Sequence, residues 1–270
     1  MEVITSLQNP LIKQIQKLDK NRERRKQNLI PVEGLRECRL AVDAGFTIEK
    51  VLYCSEYISE LALKKELNLS PIANLIDLAP NVFDAIVYRK GIANCLALIN
   101  PKDYSFSDID TSNNLLILII DSVEKPGNLG AMLRTCDAAG VDAIIVCDPQ
   151  TDVYNPNCIR ASLGATFTKK VIVTTAEDCI NWLKTNSINT FVTYLESARN
   201  YTLEDFKKPT AIVVGSEAYG IKDIWLNSGF KNIIIPQFGK VDSMNVANSA
   251  GIVIYEVIRQ RNLTPGLSPK

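Results

Sequence analysis

Histidine is absent from all 270 residues of the chain. Without an imidazole, the protein has no Ser-His-Asp or Cys-His nucleophile system and no histidine ligand for a metal ion. The seven cysteines are an odd number and are widely spaced, with no pair at the short separation typical of a zinc site. We therefore expect reduced thiols and no metal, and any chemistry has to use arginine, lysine, carboxylates, amides and the backbone.

Long hydrophobic runs are also missing. The longest strictly apolar run, Leu115 to Ile120, is far too short to span a bilayer. The first residues, MEVITSLQNP, lack the basic-then-apolar plan of a signal peptide. We expect a cytoplasmic protein without a membrane partner. With 46% hydrophobic residues, the chain is long enough to bury the cores of two domains.

The chain has no net charge, because 30 basic residues balance 30 acidic ones. A polyanionic partner would therefore have to be bound by a local patch. Residues 13–26, KQIQKLDKNRERRK, hold seven basic and two acidic side chains, a net charge of +5. Taken alone, this segment is either a solvated helix face or a binding surface for a polyanion.

From Leu115 onward, short apolar runs alternate with amphipathic stretches. The apolar runs are LLILIID, AIIVCD, KKVIVTT, NTFVTYL, AIVVGSE and NIIIPQ. The amphipathic stretches lie around 128–139, 156–164, 176–186, 221–228 and 243–262. This alternation predicts an α/β fold with a parallel sheet and helices on both faces. Ligands in such folds bind beyond the carboxyl ends of the strands.

The first 100 residues show a different pattern of predicted helices and strands. They contain the basic helix, the apolar segment LIPVEG, a helix at 34–44, the strand-like IEKVLYC, a helix near 56–67 and the strand-like CLALIN at 95–100. This pattern indicates a second, smaller α/β unit. Residues 101–113, PKDYSFSDIDTSN, are polar and lack an apolar period, which is typical of a linker. The predicted domains are therefore 1–100 and 114–270.

Polar side chains follow three strands of the predicted parallel sheet. A glycine-opened helix after the first strand carries Asn128 and Arg134 and could accept an anion, although Asn128 is equally well explained as a helix N-cap. Glu217 lies in a glycine-flanked turn after the fifth strand, where a cap or ion pair is the common role. Ser243 and Asn245 precede the last helix, and Ser243 is a natural N-cap. Because these strand ends share one edge of the sheet, we expect a site there.

The segments NLGAMLRT, GSEAYGI and IPQFGKVDSMNVANSAGIVIYE resemble, in order and spacing, the three signature motifs of the SpoU (TrmH-like) family of RNA ribose methyltransferases, in the SPOUT superfamily. The resemblance covers about 112 to 262. Between the first two motifs, NPNCIRASLGATF resembles a helix of the family. Upstream, RRKQNLIPVEG resembles the N-terminal substrate-binding module, related to a ribosomal RNA-binding protein, that many members carry.

The resemblance implies that the C-terminal chain forms a deep trefoil knot, an exception to the rule against knotted chains. It also implies that S-adenosylmethionine binds in the knot, held largely by backbone groups, and that the protein is a homodimer built around the last helix. Carried over by position, the cofactor-binding residues are Leu195, Gly215, Ile235, Gln237, Ser243 and Met244.

The implied activity is methyl transfer to a ribose 2′-hydroxyl, with Asn128, Arg134, Glu217, Ser243 and Asn245 as the catalytic residues. Arg134 matches the arginine that the family uses to activate the hydroxyl. Because arginine does not lose its proton near neutral pH, we prefer Arg134 as a clamp on a neighbouring phosphate and a stabiliser of alkoxide charge. Glu217 would orient Arg134 or Asn128. Ser243 and Asn245 would hold the hydroxyl and the loop.

The resemblance also favours RNA as the partner of the basic segment, because RNA binding depends on phosphate contacts. The expected RNA-binding residues are Arg22, Arg24, Arg25, Lys26 and Arg134. Ribosomal RNA of the large subunit is favoured over tRNA, because tRNA-specific relatives tend to lack the N-terminal module. Two alternatives stay open, a tRNA 2′-O-methyltransferase and a non-catalytic RNA-binding assembly factor that retains the fold.

Overall fold

The computed structural model describes residues 3–69, 73–90, 92–196, 198–216, 219–241 and 243–261. The chain forms two compact units. The first comprises Met1–Asp103 and Asp152–Thr168, and the second comprises Tyr104–Thr151 and Lys169–Lys270. The chain therefore passes from one unit to the other three times. Among the described residues, every helix is too short or too polar to cross a lipid bilayer.

The first unit is built on a four-stranded sheet in the order β1-β4-β2-β3. Its elements up to Asp103 are α1 (Pro10–Lys17), α2 (Asn21–Gln27), β1 (Ile30–Glu33), α3 (Leu35–Asp43), β2 (Ile48–Tyr53), α4 (Glu60–Glu66), β3 (Leu75–Asp77), α5 (Pro80–Phe83) and β4 (Cys95–Ile99). Strand β4 is antiparallel to β1 and β2, whereas β3 is parallel to β2. The α/β character predicted from the sequence is confirmed, but β3 and α5 were not predicted.

The basic segment was predicted to be one helix, but it forms two, α1 and α2, because the helix is interrupted between Lys17 and Asn21. Lys20 has an extended backbone, with φ −89° and ψ 128°. The guanidinium of Arg24 donates to the carbonyl oxygens of Leu18 and Asp19, at 2.7 and 2.9 Å. These bonds satisfy carbonyl groups in the turn after α1 and hold α2 against it.

Residues 152–168 pack within the first unit, although they lie inside the C-terminal domain predicted from the sequence. They form α7 (Pro156–Ala161) and α8 (Ala165–Thr168). Ile159 and Phe167 are 3% and 1% exposed and belong to the apolar cluster on one face of the four-stranded sheet. Burial of these two side chains explains why the segment joins this unit.

The second unit is built on a seven-stranded sheet in the order β7-β6-β5-β10-β8-β11-β9, with every pair parallel. Its elements are β5 (Leu116–Asp121), α6 (Pro126–Ala138), β6 (Ala143–Cys147), β7 (Lys170–Thr174), α9 (Ala176–Thr185), β8 (Asn189–Thr193), β9 (Arg199–Asn200), β10 (Thr210–Val214), α10 (Asp223–Leu226), β11 (Lys231–Ile234) and α11 (Val246–Gln260). All six predicted strands are present. The two-residue strand β9 was not predicted.

Strands β5, β6 and β10 are buried along their whole length. This is why their sequences are continuous apolar runs rather than alternating ones. Helix α11 packs against α6 and β10 through a buried stripe that includes Ala250, Val253 and Val257. The start of α11 is thereby fixed beside the carboxyl end of β10.

Part of the predicted linker belongs to the second unit. Tyr104 forms a β-bridge with Ile172, and the ring of Phe106 stacks on Trp182 with 5.0 Å between ring centroids. Apolar contacts therefore order this segment although its composition is mostly polar.

All seven cysteines are free and buried, which confirms the expectation of reduced thiols. Burial raises the pKa of the Cys136 thiol to about 12. The Cys95 thiol donates a hydrogen bond to Cys38 Sγ at 3.9 Å, a distance too long for a disulfide bond. The cysteines therefore act as small apolar core residues.

Candidate active site

A cavity of about 700 Å³ opens at the carboxyl ends of β8, β10 and β11 in the second unit. Its wall includes all six residues expected to bind the cofactor, namely Leu195, Gly215, Ile235, Gln237, Ser243 and Met244. Three of the five expected catalytic residues line it, namely Ser243, which belongs to both sets, Asn128 and Asn245. Residues distant in sequence meet here because the carboxyl ends of parallel strands share one edge of the sheet.

The loop after β10 folds back on itself at the cavity wall. Ser216 and Gly220 exchange two backbone hydrogen bonds of 3.0 Å each. This closure brings the Gly220 backbone so near to Gly215 that a Cβ at position 215 would overlap the Gly220 carbonyl oxygen. Gly215 is therefore required by a close backbone approach rather than by an unusual dihedral angle.

Asn245 links two elements of the site. Its Oδ1 accepts hydrogen bonds from the backbone N–H groups of Ala247 and Asn248, so Asn245 is the N-cap of α11. Its Nδ2 donates to Asn128 Oδ1 in the first turn of α6, at 3.1 Å. The N-cap interpretations of Ser243 and Asn128 are therefore wrong, because α11 begins after Asn245 and α6 begins after Lys125.

The two remaining expected catalytic residues are Arg134 and Glu217. Arg134 is exposed on α6 and is not one of the residues lining the cavity. Its guanidinium forms no ion pair with any residue that the structure describes. Its charge is thus available to a ligand such as a phosphate. Glu217 lies outside the described residues.

A three-residue charge cluster near the site was not found from the sequence. Lys222 Nζ is 2.9 Å from Asp148 Oδ2 and 3.5 Å from Asp121 Oδ1. Asp121 is completely buried at the end of β5, and Asp148 follows β6. The signal was present, since each aspartate ends an apolar run, in LLILIID and AIIVCD. The lysine ties the end of the loop after β10 to both neighbouring strand ends.

Burial raises the pKa of Asp121, although the nearby Lys222 ammonium opposes this shift. Burial lowers the pKa of Lys222, but hydrogen bonding and charge from Asp148 and Asp121 outweigh it and raise that pKa overall. The pKa of the lysine therefore rises because its cation is held by two carboxylates.

The basic segment divides into exposed and buried cations. Arg22, Arg25 and Lys26 are exposed on α2. Arg24 is only 4% exposed, and its Nε and Nη2 donate to Asp152 Oδ2 at 2.9 and 2.8 Å. Arg24 was expected to bind RNA, but Asp152 and two backbone carbonyls occupy its guanidinium.

Two models of known protein families match the chain, one in its N-terminal and one in its C-terminal part. Residues 115–255 match the model of the SpoU rRNA Methylase family, which covers more than half of the chain. Residues 9–97 match the model of the MRM3-like substrate binding domain.

Individual relatives match along nearly the whole chain. The 23S rRNA (guanosine(2553)-2′-O)-methyltransferase RlmP of Bacillus subtilis is 27% identical over 95% of this chain and 99% of its own length. A crystal structure of an RNA 2′-O ribose methyltransferase is 31% identical, with a TM-score of 0.84 over 97% of this chain and 100% of that chain. The AdoMet-bound rRNA methyltransferase of Sinorhizobium meliloti is 27% identical, with a TM-score of 0.87 over 96% of this chain and 97% of that chain. The chain therefore belongs to the SpoU rRNA methylase family.

Proposed function

We propose that this protein transfers the methyl group of S-adenosylmethionine to a ribose 2′-hydroxyl of large-subunit ribosomal RNA. The observation that carries the proposal is the single cavity that collects all six expected cofactor residues beside the Asn128–Asn245 hydrogen bond. Family membership and the 23S rRNA activity in the name of the Bacillus subtilis relative support it.

The cavity fits S-adenosylmethionine in size and chemistry. Its volume lies within the range of about 300–1,000 Å³ typical of small-molecule sites. Apolar side chains such as Ile233 and Leu226 can contact a flat base, and two acidic residues, Glu196 and Asp223, line the wall with one lysine, Lys125. An excess of carboxylates suits a ligand with a positively charged sulfonium and an ammonium group.

When bound, S-adenosylmethionine supplies an electrophilic methyl group on its sulfonium. The task of the protein is to align the ribose hydroxyl with that group and to stabilise the oxygen as its proton leaves. In our proposal Arg134 clamps the adjacent phosphate and stabilises negative charge on the oxygen. Ser243 and Asn245 hold the hydroxyl and the loop, and Glu217 orients Arg134 or Asn128.

The proposal includes four finer features. The C-terminal chain is threaded into a trefoil knot, which is consistent with the packing of α11 against both α6 and β10. The protein is a homodimer built around α11 and acts in the cytoplasm. The first unit, Met1–Asp103 with Asp152–Thr168, serves RNA binding, and the second unit, Tyr104–Thr151 with Lys169–Lys270, serves catalysis.

The test is methyl transfer from labelled S-adenosylmethionine to separated fractions of unmodified ribosomal RNA and tRNA, followed by mapping of the labelled ribose. The expected result is label on one 2′-oxygen in large-subunit ribosomal RNA. Label on tRNA would favour the tRNA alternative. Cofactor titration separates the non-catalytic alternative, because an assembly factor that only retains the fold would take up no S-adenosylmethionine.

A further inference from the structure

The first unit contains a second cavity, of about 300 Å³, that the proposed methyl transfer does not use. It lies against β1 and β4 and is bordered by Tyr88, Arg89, Asn157 and Arg160. Asp19 also lines it, in the turn two residues before the start of α2. The exposed cations of α2 therefore follow the cavity rim directly along the chain.

Tyr88 and Arg160 form a cation–π pair at this cavity. The guanidinium carbon of Arg160 lies 3.7 Å from the centroid of the Tyr88 ring. Arg160 also donates a hydrogen bond to Asn157 Oδ1, so its guanidinium has two partners, the Tyr88 ring and the Asn157 side chain. Tyr88 is nevertheless 73% exposed, which is a large exposed fraction for an aromatic side chain. The pair presents aromatic surface beside a fixed positive charge.

The backbone beneath the pair is held by a carboxylate. Glu33 accepts hydrogen bonds from the backbone N–H groups of Tyr88 and Arg89, at 2.6 and 3.0 Å. The Arg89 guanidinium donates to Glu33 at 3.0 Å and to Glu37 at 3.2 Å. The position of Tyr88 is thus fixed before any ligand arrives, which lowers the entropy lost on binding.

Arg89 and Arg160 differ in their ionic partners. Arg89 is compensated by two carboxylates and is occupied within the fold. Arg160 has no ion pair with a carboxylate among the residues that the structure describes. The cavity rim therefore has one cation, Arg160, that contacts an aromatic ring and not a carboxylate. Unpaired nucleobases stack on aromatic rings and on arginine planes.

We propose that the Tyr88–Arg160 pair is a stacking platform for an unpaired nucleobase of the substrate RNA, separate from the nucleotide that is methylated. This inference rests on the proposed function, because it takes RNA as the ligand. The exposed cations of α2 would hold the adjoining phosphates.

The test measures binding of two RNAs to the full-length protein, an unmodified transcript of large-subunit ribosomal RNA and a single-stranded 12-nucleotide RNA carrying a central 2-aminopurine. Tyr88→Ala should weaken binding of both roughly 5- to 150-fold, the range expected for loss of one stacked base. Tyr88→Phe should bind like the wild type. The slope of affinity against salt should stay the same, since Tyr88→Ala removes no phosphate contact.

The matched control is Leu61→Ala on α4, an 81% exposed apolar side chain of the same unit that does not line the cavity. It should leave RNA binding unchanged. Melting temperatures of all variants establish that they are folded. Wild-type affinity of Tyr88→Ala, or an equal loss in Leu61→Ala, would overturn the platform.

The platform and the proposed function can fail separately. In steady-state methylation, Tyr88→Ala should raise the KM for RNA and leave the affinity for S-adenosylmethionine unchanged. If the wild type methylates no RNA, the proposed function fails, whereas quenching of the 2-aminopurine by the wild type and its loss in Tyr88→Ala would still support the platform.

Discussion

Lys222 holds its ammonium group 3.5 Å from the carboxylate of Asp121, a side chain without any exposed surface. The second oxygen of Asp121 has no hydrogen-bond partner among the described residues. Burying a charge with so few partners is unfavourable, which is why the pKa of Asp121 is raised despite the lysine.

The free energy of unfolding should therefore depend on pH through Asp121. Its folded-state pKa lies above the ordinary value of 3.8, so the folded protein binds this proton more tightly than the unfolded chain. The resulting stability is present below pH 3.8 and is lost as pH rises through the raised pKa. Relative to the wild type, Asp121→Asn should become steadily more stable over that window. Denaturant unfolding at several pH values measures this, and the opposite trend would show that Lys222 lowers the pKa.

Replacing Lys222 should loosen the site rather than remove a reacting group. Lys222→Met leaves Asp121 buried without a cation and should reduce the free energy of unfolding by about 1–3 kcal/mol. S-adenosylmethionine affinity should fall with it, because Lys222 anchors the loop after β10. Lys222→Arg should recover both properties in calorimetry. Unchanged cofactor affinity in a stable Lys222→Met variant would contradict the anchoring role.

Gly215→Ala should abolish cofactor binding. The added methyl group would overlap the Gly220 backbone, which cannot rotate away as a side chain can. A displacement costing about 1.4 kcal/mol already weakens affinity tenfold. Gly127→Ala, in the first turn of α6, is the matched control, because its Cβ would meet no atom within 4 Å. Calorimetric titration with S-adenosylmethionine distinguishes the two variants, and equal affinities would mean that the loop is not part of the binding wall.

Substitutions at Asn245 should separate its two contacts. Asn245→Ala removes both the cap and the bond to Asn128, and loss of the cap alone lowers stability by about 1 kcal/mol. Asn245→Asp keeps the cap but loses the Nδ2 donor. We expect near wild-type melting for Asn245→Asp together with reduced methyl transfer. Full activity in that variant would leave capping as the role of Asn245.

Arg134→Ala should abolish methyl transfer while leaving S-adenosylmethionine affinity nearly intact, because Arg134 does not line the cavity. Arg134→Lys should recover only part of the activity, since a lysine cannot make a two-pronged contact with a phosphate. Single-turnover transfer and cofactor titration measure the two effects. Equal loss of both would place Arg134 in the cofactor site.

The exposed cations of α2 should contribute to RNA binding, whereas the buried Arg24 should contribute to stability. Neutralising Arg22, Arg25 and Lys26 together should weaken RNA binding and make its salt dependence shallower, by about two units of slope for three lost contacts. Arg24→Ala should instead reduce the free energy of unfolding by about 3–5 kcal/mol, because it leaves Asp152 without its buried partner. RNA affinity against salt and denaturant unfolding test the contrast. A stable Arg24→Ala variant would refute the structural role.

The sequence was most informative where burial is uniform. Strands β5, β6 and β10 are apolar along most of their length because both faces are covered, so their apolar runs identified the parallel sheet. Strand β3 is only three residues long and shows no comparable apolar run. Local pattern could not reveal that Arg24 is buried, because its partner Asp152 is 128 positions away. The two aspartates of the Lys222 cluster each end an apolar run, but their convergence with Lys222 depends on the strand order, which the sequence does not show.

The pairing of Arg24 with Asp152 limits how this protein can be divided. A fragment ending in the predicted linker would lack α7 and α8, and with them Ile159, Phe167 and the acceptor for Arg24. Such a piece would expose apolar side chains and an unpaired guanidinium to water. An independently folding N-terminal module would have to carry residues 152–168 grafted onto its end, so the two halves cannot be obtained by cutting the chain once.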